Sequence, residues 1–568
     1  MEHMILGHAG AAEAHQFLKG TVLRHRLAVA HQAERHPQHR LRADPQADRG
    51  RAGCGLNHGE NRIEPSQPLN VATTTEHPGG GAPQARPTSA SVAQPFPRPM
   101  ALQAPVDPSP AVELAVPIQQ MREPVQRGDS RSLAWRLEQL DRLAALVGQH
   151  EEAVLAALAA DLGKPPTEAF FELVAVRHEL AHTRRHLARW MRPRSVGLPF
   201  WTLPARARVH PEPLGCVLIL GPWNYPFQLC LHPLVSALAA GNTAVIKPSE
   251  HAPRTAALIA ELVGRHFPTE LVQVVLGDGG TAARLLQERF DHIFFTGGER
   301  VGALVMAAAA RHLTPVTLEL GGKSPAIVLD DADIAVTARR LAWGKGLNAG
   351  QTCVAPDHVL VVPERREELV AAIGAEFKRL YGADPLASPD LGAVVNAERF
   401  NHLSGLIAGA RGRVLAGGQN DPARRRIAPT LIAVEDPEAD PLMQEELFGP
   451  LLPVITVAGV EEALARVRQG ARPLALYLFS RSERSRRRLL ATTSSGSVVF
   501  NDVVIQAGVV NLPFGGVGAS GMGAYHGETG FLTFSHRRSV MQRSFRFDLP
   551  FRYPPYGDRL DLVRRLLG

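Results

Sequence analysis

From about residue 116 onward, apolar residues recur at helical spacing. The segment SRSLAWRLEQLDRLAALVGQHEEAVLAALAADLGK carries Leu, Trp and Ala three and four positions apart, and Lys164 with two following prolines closes it. EAFFELVAVRHELAHTRRHLARWM continues the same period. Short apolar runs then alternate with helical stretches. GCVLIL, AVIK, LVQVVL and HIFF read as buried strands, separated by helices such as HPLVSALAAG and PRTAALIAELVGRHF. A second alternating set runs from about residue 323 to 500, with SPAIVLD, HVLVVP, LLPVITV, ALYLFS and SGSVVFND as strands. REELVAAIGAEFKRLYG and VEEALARVRQG are helices within it. The pattern predicts an α/β chain with two doubly wound parallel sheets in tandem, and it contains no internal repeat.

Composition sets the first 110 residues or so apart. Nine of the 23 histidines and ten prolines fall within the first 100 positions, and no apolar period persists there. This stretch reads as a disordered extension, or as an over-extended start with Met100 as the initiator; the second is preferred. Its irregular histidine spacing argues against a metal site. The whole chain, at 568 residues, exceeds what one core organises, so two or three domains are expected. The net charge of +7 is spread without dense basic runs, which points away from nucleic acid. Four scattered cysteines form neither a zinc pattern nor a disulfide framework. No apolar run approaches the ~18–20 residues of a membrane span, and no secretory signal is recognisable. A cytoplasmic protein with no membrane partner and no bound metal is expected.

Candidate chemistry gathers at the ends of the expected strands. GCVLIL runs into GPWNYPFQ with Asn224, and AVIK ends in Lys247-Pro248-Ser249-Glu250. HIFF ends in Thr296-Gly297-Gly298-Glu299-Arg300-Val301-Gly302, a glycine-bounded turn opening a helix. LELGGKS presents Glu319, and NAGQTCVAP presents Cys353 34 positions later. Taken singly these are a turn asparagine, a surface ion pair, a structural carboxylate and an inert buried thiol. Together they line the edge at which open α/β sheets bind ligands. The run Gly277-Asp278-Gly279-Gly280-Thr281-Ala282 mimics a dinucleotide fingerprint. The acid expected about 20 residues further on is not convincingly placed, because Asp291 comes too early, so the run reads as a strand-to-helix turn.

These motifs resemble the aldehyde dehydrogenase family over essentially residues 116–560. LELGGKS and NAGQTCVAP match its glutamate and cysteine signatures at the family's separation, and PWNYP, KPSE, FTGGERVG, EELFGP and LPFGGVGASGMGAYHG follow in the family's order. WNYPFQL, TCVAPD, SGMGAYHG, FSHRRS and RYPPYG look most like the class 3 branch, which includes coniferyl, aromatic and fatty aldehyde dehydrogenases.

The resemblance implies a Rossmann-like NAD(P)-binding domain over 116–320, with bridging strands near 195–212. It implies a catalytic thiol domain over 321–500, and a return to the cofactor domain over 501–568 with a further bridging strand and a tail. It assigns Cys353 as nucleophile, Glu319 as general base and Asn224 as oxyanion donor beside the Cys353 N–H. Lys247 and Glu250 would hold the adenosine ribose, Gly297, Gly298 and Gly302 the pyrophosphate, and Glu446 and Phe448 the nicotinamide half. NAD is the default cofactor because Glu250 repels a 2′-phosphate, with NADP as the alternative. An aromatic or medium-chain aliphatic aldehyde would become an acid through a thiohemiacetal and a thioester. A homodimer through the bridging strands is expected. The short, charged RLDLVRRLLG lacks the hydrophobic anchor of the fatty-aldehyde branch, which favours a soluble enzyme. A CoA-acylating dehydrogenase, a cysteine esterase and a non-catalytic protein on the same fold are the competing readings. KPSE, FTGGERVG and EELFGP would be idle in an esterase, and CoA-acylating relatives usually lack the glutamate.

Overall fold

The computed structural model describes residues 114–549 and 552–567. The expected N-terminal extension lies outside the described residues. The first long apolar segment, which sequence pattern reads as one stretch, is two helices. Leu133–Gln149 begins where the Ser132 side chain accepts from the Trp135 N–H at 3.2 Å. It ends at His150, whose φ of −124° leaves the helical region. Glu151 and Glu152 then favour a fresh N-terminus for Glu151–Leu162, and the two axes bend by 68°. Gly163 stops this helix in the left-handed region, and Pro165 and Pro166 open Pro166–Trp190. No single helix among the described residues is long and apolar enough to cross a membrane.

Two strands follow, β1 (Arg194–Val196) and β2 (Ala205–Pro213), and then the first main sheet. That sheet comprises β3 (Cys216–Leu220), β4 (Thr243–Lys247), β5 (Val272–Val274), β6 (His292–Thr296) and β7 (Val316–Glu319). The second main sheet takes β8 (Pro325–Val328), β9 (His358–Val361) and β10 (Val414–Ala416). A small hairpin, β11 (Asn420–Asp421) and β12 (Arg426–Ile427), interrupts it before β13 (Thr430–Ala433), β14 (Leu451–Thr456), β15 (Ala475–Phe479) and β16 (Ser497–Phe500). The chain then returns to the first sheet as β17 (Gly521–Met522) and to the β1–β2 pair as β18 (Ser535–Arg543).

The six-stranded sheet is ordered β17-β7-β6-β3-β4-β5, parallel except for β17; the seven-stranded sheet is ordered β10-β13-β14-β9-β8-β15-β16, parallel except for β10. Period-two alternation explains why these strands are continuously apolar. In β3, Val217 and Ile219 join the core under Leu140, Leu143 and Leu173, while Cys216, Leu218 and Leu220 face a second core with Met121, Leu285 and Phe290. In β8 and β9, Val328 and Val359 face one core and Ile327 and Leu360 the other. In the first sheet, successive strands run outward from β3 on one side and from β6 on the other. The crevice at their carboxyl ends is therefore the topological switch point.

Candidate active site

The loop carrying Cys353 is built from an unusual backbone. The helix Ile334–Gly346 ends, and the chain turns left-handed at Asn348 (φ 52°), Ala349 (φ 51°) and Gly350 (φ 72°). At Gly350 only glycine fits, since a Cβ would stand 2.2 Å from the Gly449 carbonyl oxygen. Fully buried Gln351 clamps the turn. Its amide donates to the Asn348 and Ala393 oxygens at 3.0 and 2.9 Å, and its own oxygen accepts from the Val395 N–H at 2.9 Å. Glu168 accepts the Asn348 N–H at 2.8 Å, and burial pushes that carboxyl up to about 7.

Cys353 and Glu319 meet in one cavity of about 210 Å³. Its walls are largely apolar, with Phe171, Tyr225, Trp343, Phe514 and Tyr525 among them. Glu319 ends β7, opposite Thr296 of β6 on one side and Gly521 of β17 on the other. It is 3% exposed and neither carboxyl oxygen has a hydrogen-bond partner. Burial therefore raises it well above the usual carboxylate range. Burial, reinforced by the carboxylates of Glu446 and Glu319, pushes the Cys353 thiol up to about 12. Burial thus favours the protonated form of both groups, so the nucleophile waits for its proton to be taken.

Asn224 follows β3 and is buried. Its side-chain amide donates to the Gln351 carbonyl at 3.2 Å, which ties it to the Cys353 loop. The adjoining Tyr225 hydroxyl lies 2.7 Å from Thr352 Oγ1. Asn224 is thus beside the cavity rather than on its wall, with one amide hydrogen engaged by the loop.

A larger cleft of about 820 Å³ opens beyond, with Gly298, Glu299, Arg300, Gly321, Gly322 and Glu446 on its walls. Gly298 starts the helix Glu299–Ala310 and has open space where a Cβ would be, a helix N-terminus suited to an anionic phosphate. Gly297 and Gly302 serve packing instead. A Cβ at Gly297 would come within 2.4 Å of Phe295, and one at Gly302 within 2.8 Å of Leu320. Gly321 cradles Glu446, whose carboxylate would lie 2.0 Å from a Cβ there. Burial raises Glu446 to about 8. Phe448, at φ 43°, packs edge-on against Trp223 with ring centres 5.3 Å apart.

At the end of β4, Lys247 Nζ lies 2.7 Å from Glu250. Despite an opposing burial effect, that contact holds the Glu250 carboxyl below its usual range. The donors and the glycine cradle fit a dinucleotide. The fingerprint-like 277–282 run lies elsewhere: Asp278 caps the short helix Gly279–Leu285 through the Thr281 N–H at 3.0 Å. Among the described residues no group of three or more His, Cys, Asp or Glu is placed to hold a metal ion.

Sequence reasoning missed the supports. Lys323 bridges Asp357 at 2.5 Å and the carbonyls of Leu442 and Glu445 at 2.9 and 2.7 Å, and Asp357 accepts the Leu447 N–H at 2.9 Å. This ties the Glu446 segment to the Gly321–Gly322 turn. The signal lay inside the motifs, since Lys323 belongs to LELGGKS and Asp357 to TCVAPD.

Comparison with known proteins shows the family. The model of the aldehyde dehydrogenase family matches residues 86–540. The rat protein named "Aldehyde dehydrogenase, dimeric NADP-preferring" is 45% identical over 441 residues, covering 77% of this chain and 97% of its own. Aldehyde dehydrogenase family 3 member H1 of Arabidopsis thaliana is 41% identical over 455 residues, covering 79% and 94%. The substrate-bound structure of Staphylococcus aureus AldH superposes with a TM-score of 0.77 at 38% identity, covering 79% of this chain and 98% of that one.

Proposed function

This chain belongs to the aldehyde dehydrogenase family and catalyses NAD(P)-dependent oxidation of an aldehyde, and within that activity we propose that Cys353, Glu319 and Asn224 divide the work. Cys353 Sγ, its proton lost to solvent, attacks the aldehyde carbon as the thiolate. The oxyanion that forms is held by the Asn224 side-chain amide and the Cys353 backbone N–H, each such donor being worth about 3 kcal/mol of transition-state stabilisation. Bound NAD(P) supplies the hydride acceptor. The carbon is left as a thioester on Cys353, and the Glu319 carboxylate then takes a proton from water so that hydroxide adds to it. Collapse expels the Cys353 thiolate and releases the acid.

Glu446 and Phe448 would orient the nicotinamide half, Gly298 and the start of its helix the pyrophosphate, and Lys247 with Glu250 the adenosine ribose. The observation that carries this reading is a thiol and an orphaned carboxyl sharing one apolar cavity. The aromatic walls support an aromatic or medium-chain aliphatic aldehyde as substrate. A homodimer is supported by the name of the rat relative and by the exposed edge strand β18. A cytoplasmic location is supported by the chemistry, which needs Cys353 as a free thiol.

The test is reduced-nicotinamide formation by wild type and Cys353→Ala with benzaldehyde, a cinnamaldehyde and hexanal, each with NAD and NADP. Activity confined to wild type is expected. Equal activity in Cys353→Ala would remove the nucleophile assignment, and silence with all three aldehydes would remove the substrate class.

A further inference from the structure

Lys164, at the end of the first helical pair, has no role in the chemistry above, yet its side chain is wholly shielded from solvent. Its ammonium has three partners for three N–H bonds. Glu172 Oε1 lies at 2.5 Å, the Asn224 carbonyl oxygen at 2.8 Å, and the Tyr225 ring centre at 4.0 Å. The other Glu172 oxygen accepts the Phe227 and Gln228 N–H groups at 3.1 and 3.0 Å, at the start of the helix Gln228–Ala240. The Lys164–Glu172 pair therefore grips the 224–228 turn at both ends.

The Asn224 carbonyl takes a second donor, Asn348 Nδ2 at 2.9 Å, from the loop that carries Cys353. One peptide oxygen is thus held between a scaffold cation and the nucleophile loop, while the side chain of the same residue reaches Gln351. An apolar pair of equal volume would stabilise a fold at least as well as a buried ion pair. What it would not supply is a fixed direction for the Asn224 peptide.

We propose that Lys164, with Glu172, is a positioning residue that sets the Asn224 amide against Cys353 and so shapes the oxyanion site. The inference rests on the reading of Asn224 as oxyanion donor. A misplacement of about 1 Å at such a donor costs up to about 100-fold in rate.

Removing Lys164 alone would strand a buried carboxylate, so the test variant is Lys164→Met/Glu172→Gln, whose glutamine oxygen still accepts the Phe227 and Gln228 amides. It is compared with wild type, Asn224→Ala and the combination of all three substitutions. The readings are the pre-steady-state burst of reduced cofactor, kcat, and the KM for NAD. In the wild-type background the burst rate and kcat should fall together by about 10- to 100-fold with KM for NAD unchanged. In the Asn224→Ala background the same change should cost less than about twofold. An equal factor in both backgrounds would overturn the proposal, as would no loss in wild type. A full wild-type burst from Asn224→Ala would instead remove the oxyanion reading itself, and the proposal with it. If the paired variant fails to fold, Lys164→Gln/Glu172→Gln, which keeps an N–H donor for the Asn224 carbonyl and strands no charge, takes its place in the same cycle.

Discussion

Replacing Glu319 by glutamine separates the electrostatic cost of the site from its chemistry. The folded carboxyl is buried, unpartnered and protonated well above its ordinary value of 4.5, the value at which it ionises in the unfolded chain. Between those two values the unfolded chain has released a proton that the folded chain keeps, so rising pH favours unfolding. The penalty is absent below the unfolded value. It accumulates at about 1.4 kcal/mol per pH unit through the window and stops growing once the folded carboxyl ionises. Above the unfolded value the wild type therefore loses stability from this group as pH rises, and Glu319→Gln loses none of it. Glu446 and the other titrating groups are common to both proteins and cancel in the difference.

Urea unfolding of both proteins across this range, followed by tryptophan fluorescence, reads the difference directly. The stability of the variant relative to wild type should rise with pH. Parallel curves would refute the description of Glu319 as a buried neutral acid. The same preparation tests the chemistry, because the variant should release one burst of reduced cofactor per site and then stall as the thioester. Unimpaired steady turnover would remove Glu319 as the base.

Three further substitutions probe the surroundings. Gly321→Ala forces the Glu446 carboxyl out of its cradle, and loss of one hydrogen bond to the cofactor should weaken NAD binding by roughly 3- to 10-fold in a fluorescence titration; an unchanged Kd would mean that Glu446 does not hold the cofactor. Glu250→Gln removes the charge opposed to a 2′-phosphate and should raise the NADP-to-NAD ratio of kcat/KM by roughly tenfold, whereas a constant ratio would assign cofactor choice elsewhere. Gly350→Ala meets both a left-handed backbone, costing about 1–2 kcal/mol, and the Gly449 carbonyl. Its thermal midpoint should fall together with kcat, and wild-type values for both would show that the loop tolerates a side chain.

The strands β3, β4 and β6 were legible because helices cover both of their faces, leaving unbroken apolar runs between turn residues. β7 was not read as a strand, and β13 and β17 were also missed. VTLE and TLIA are too short to carry a period, and Gly521–Met522 is a strand only because Leu318 and Glu319 lie beside it. The break at His150 was invisible because leucines continue at helical spacing on both sides of it. Cys353 and Glu319 were legible from their motifs. Lys164 and Glu172 were not, since a lysine after a helix and a glutamate within one ordinarily face water. Gly297 and Gly302 belong to the right motif, but their lack of a side chain serves Phe295 and Leu320.

The pairing of β7 with β17 also bears on how the protein is made. Glu319 gains its outer neighbour from Gly521, and the Leu320 N–H donates to Ser520 O at 3.2 Å. On the ribosome, both sheets up to β16 emerge before that neighbour exists, so β7 is an open edge of the nascent chain, the kind of edge that invites mispairing. A chain halted in that interval carries Cys353 without the strand that seats its base. The base is therefore seated beside the nucleophile only once synthesis has passed β17.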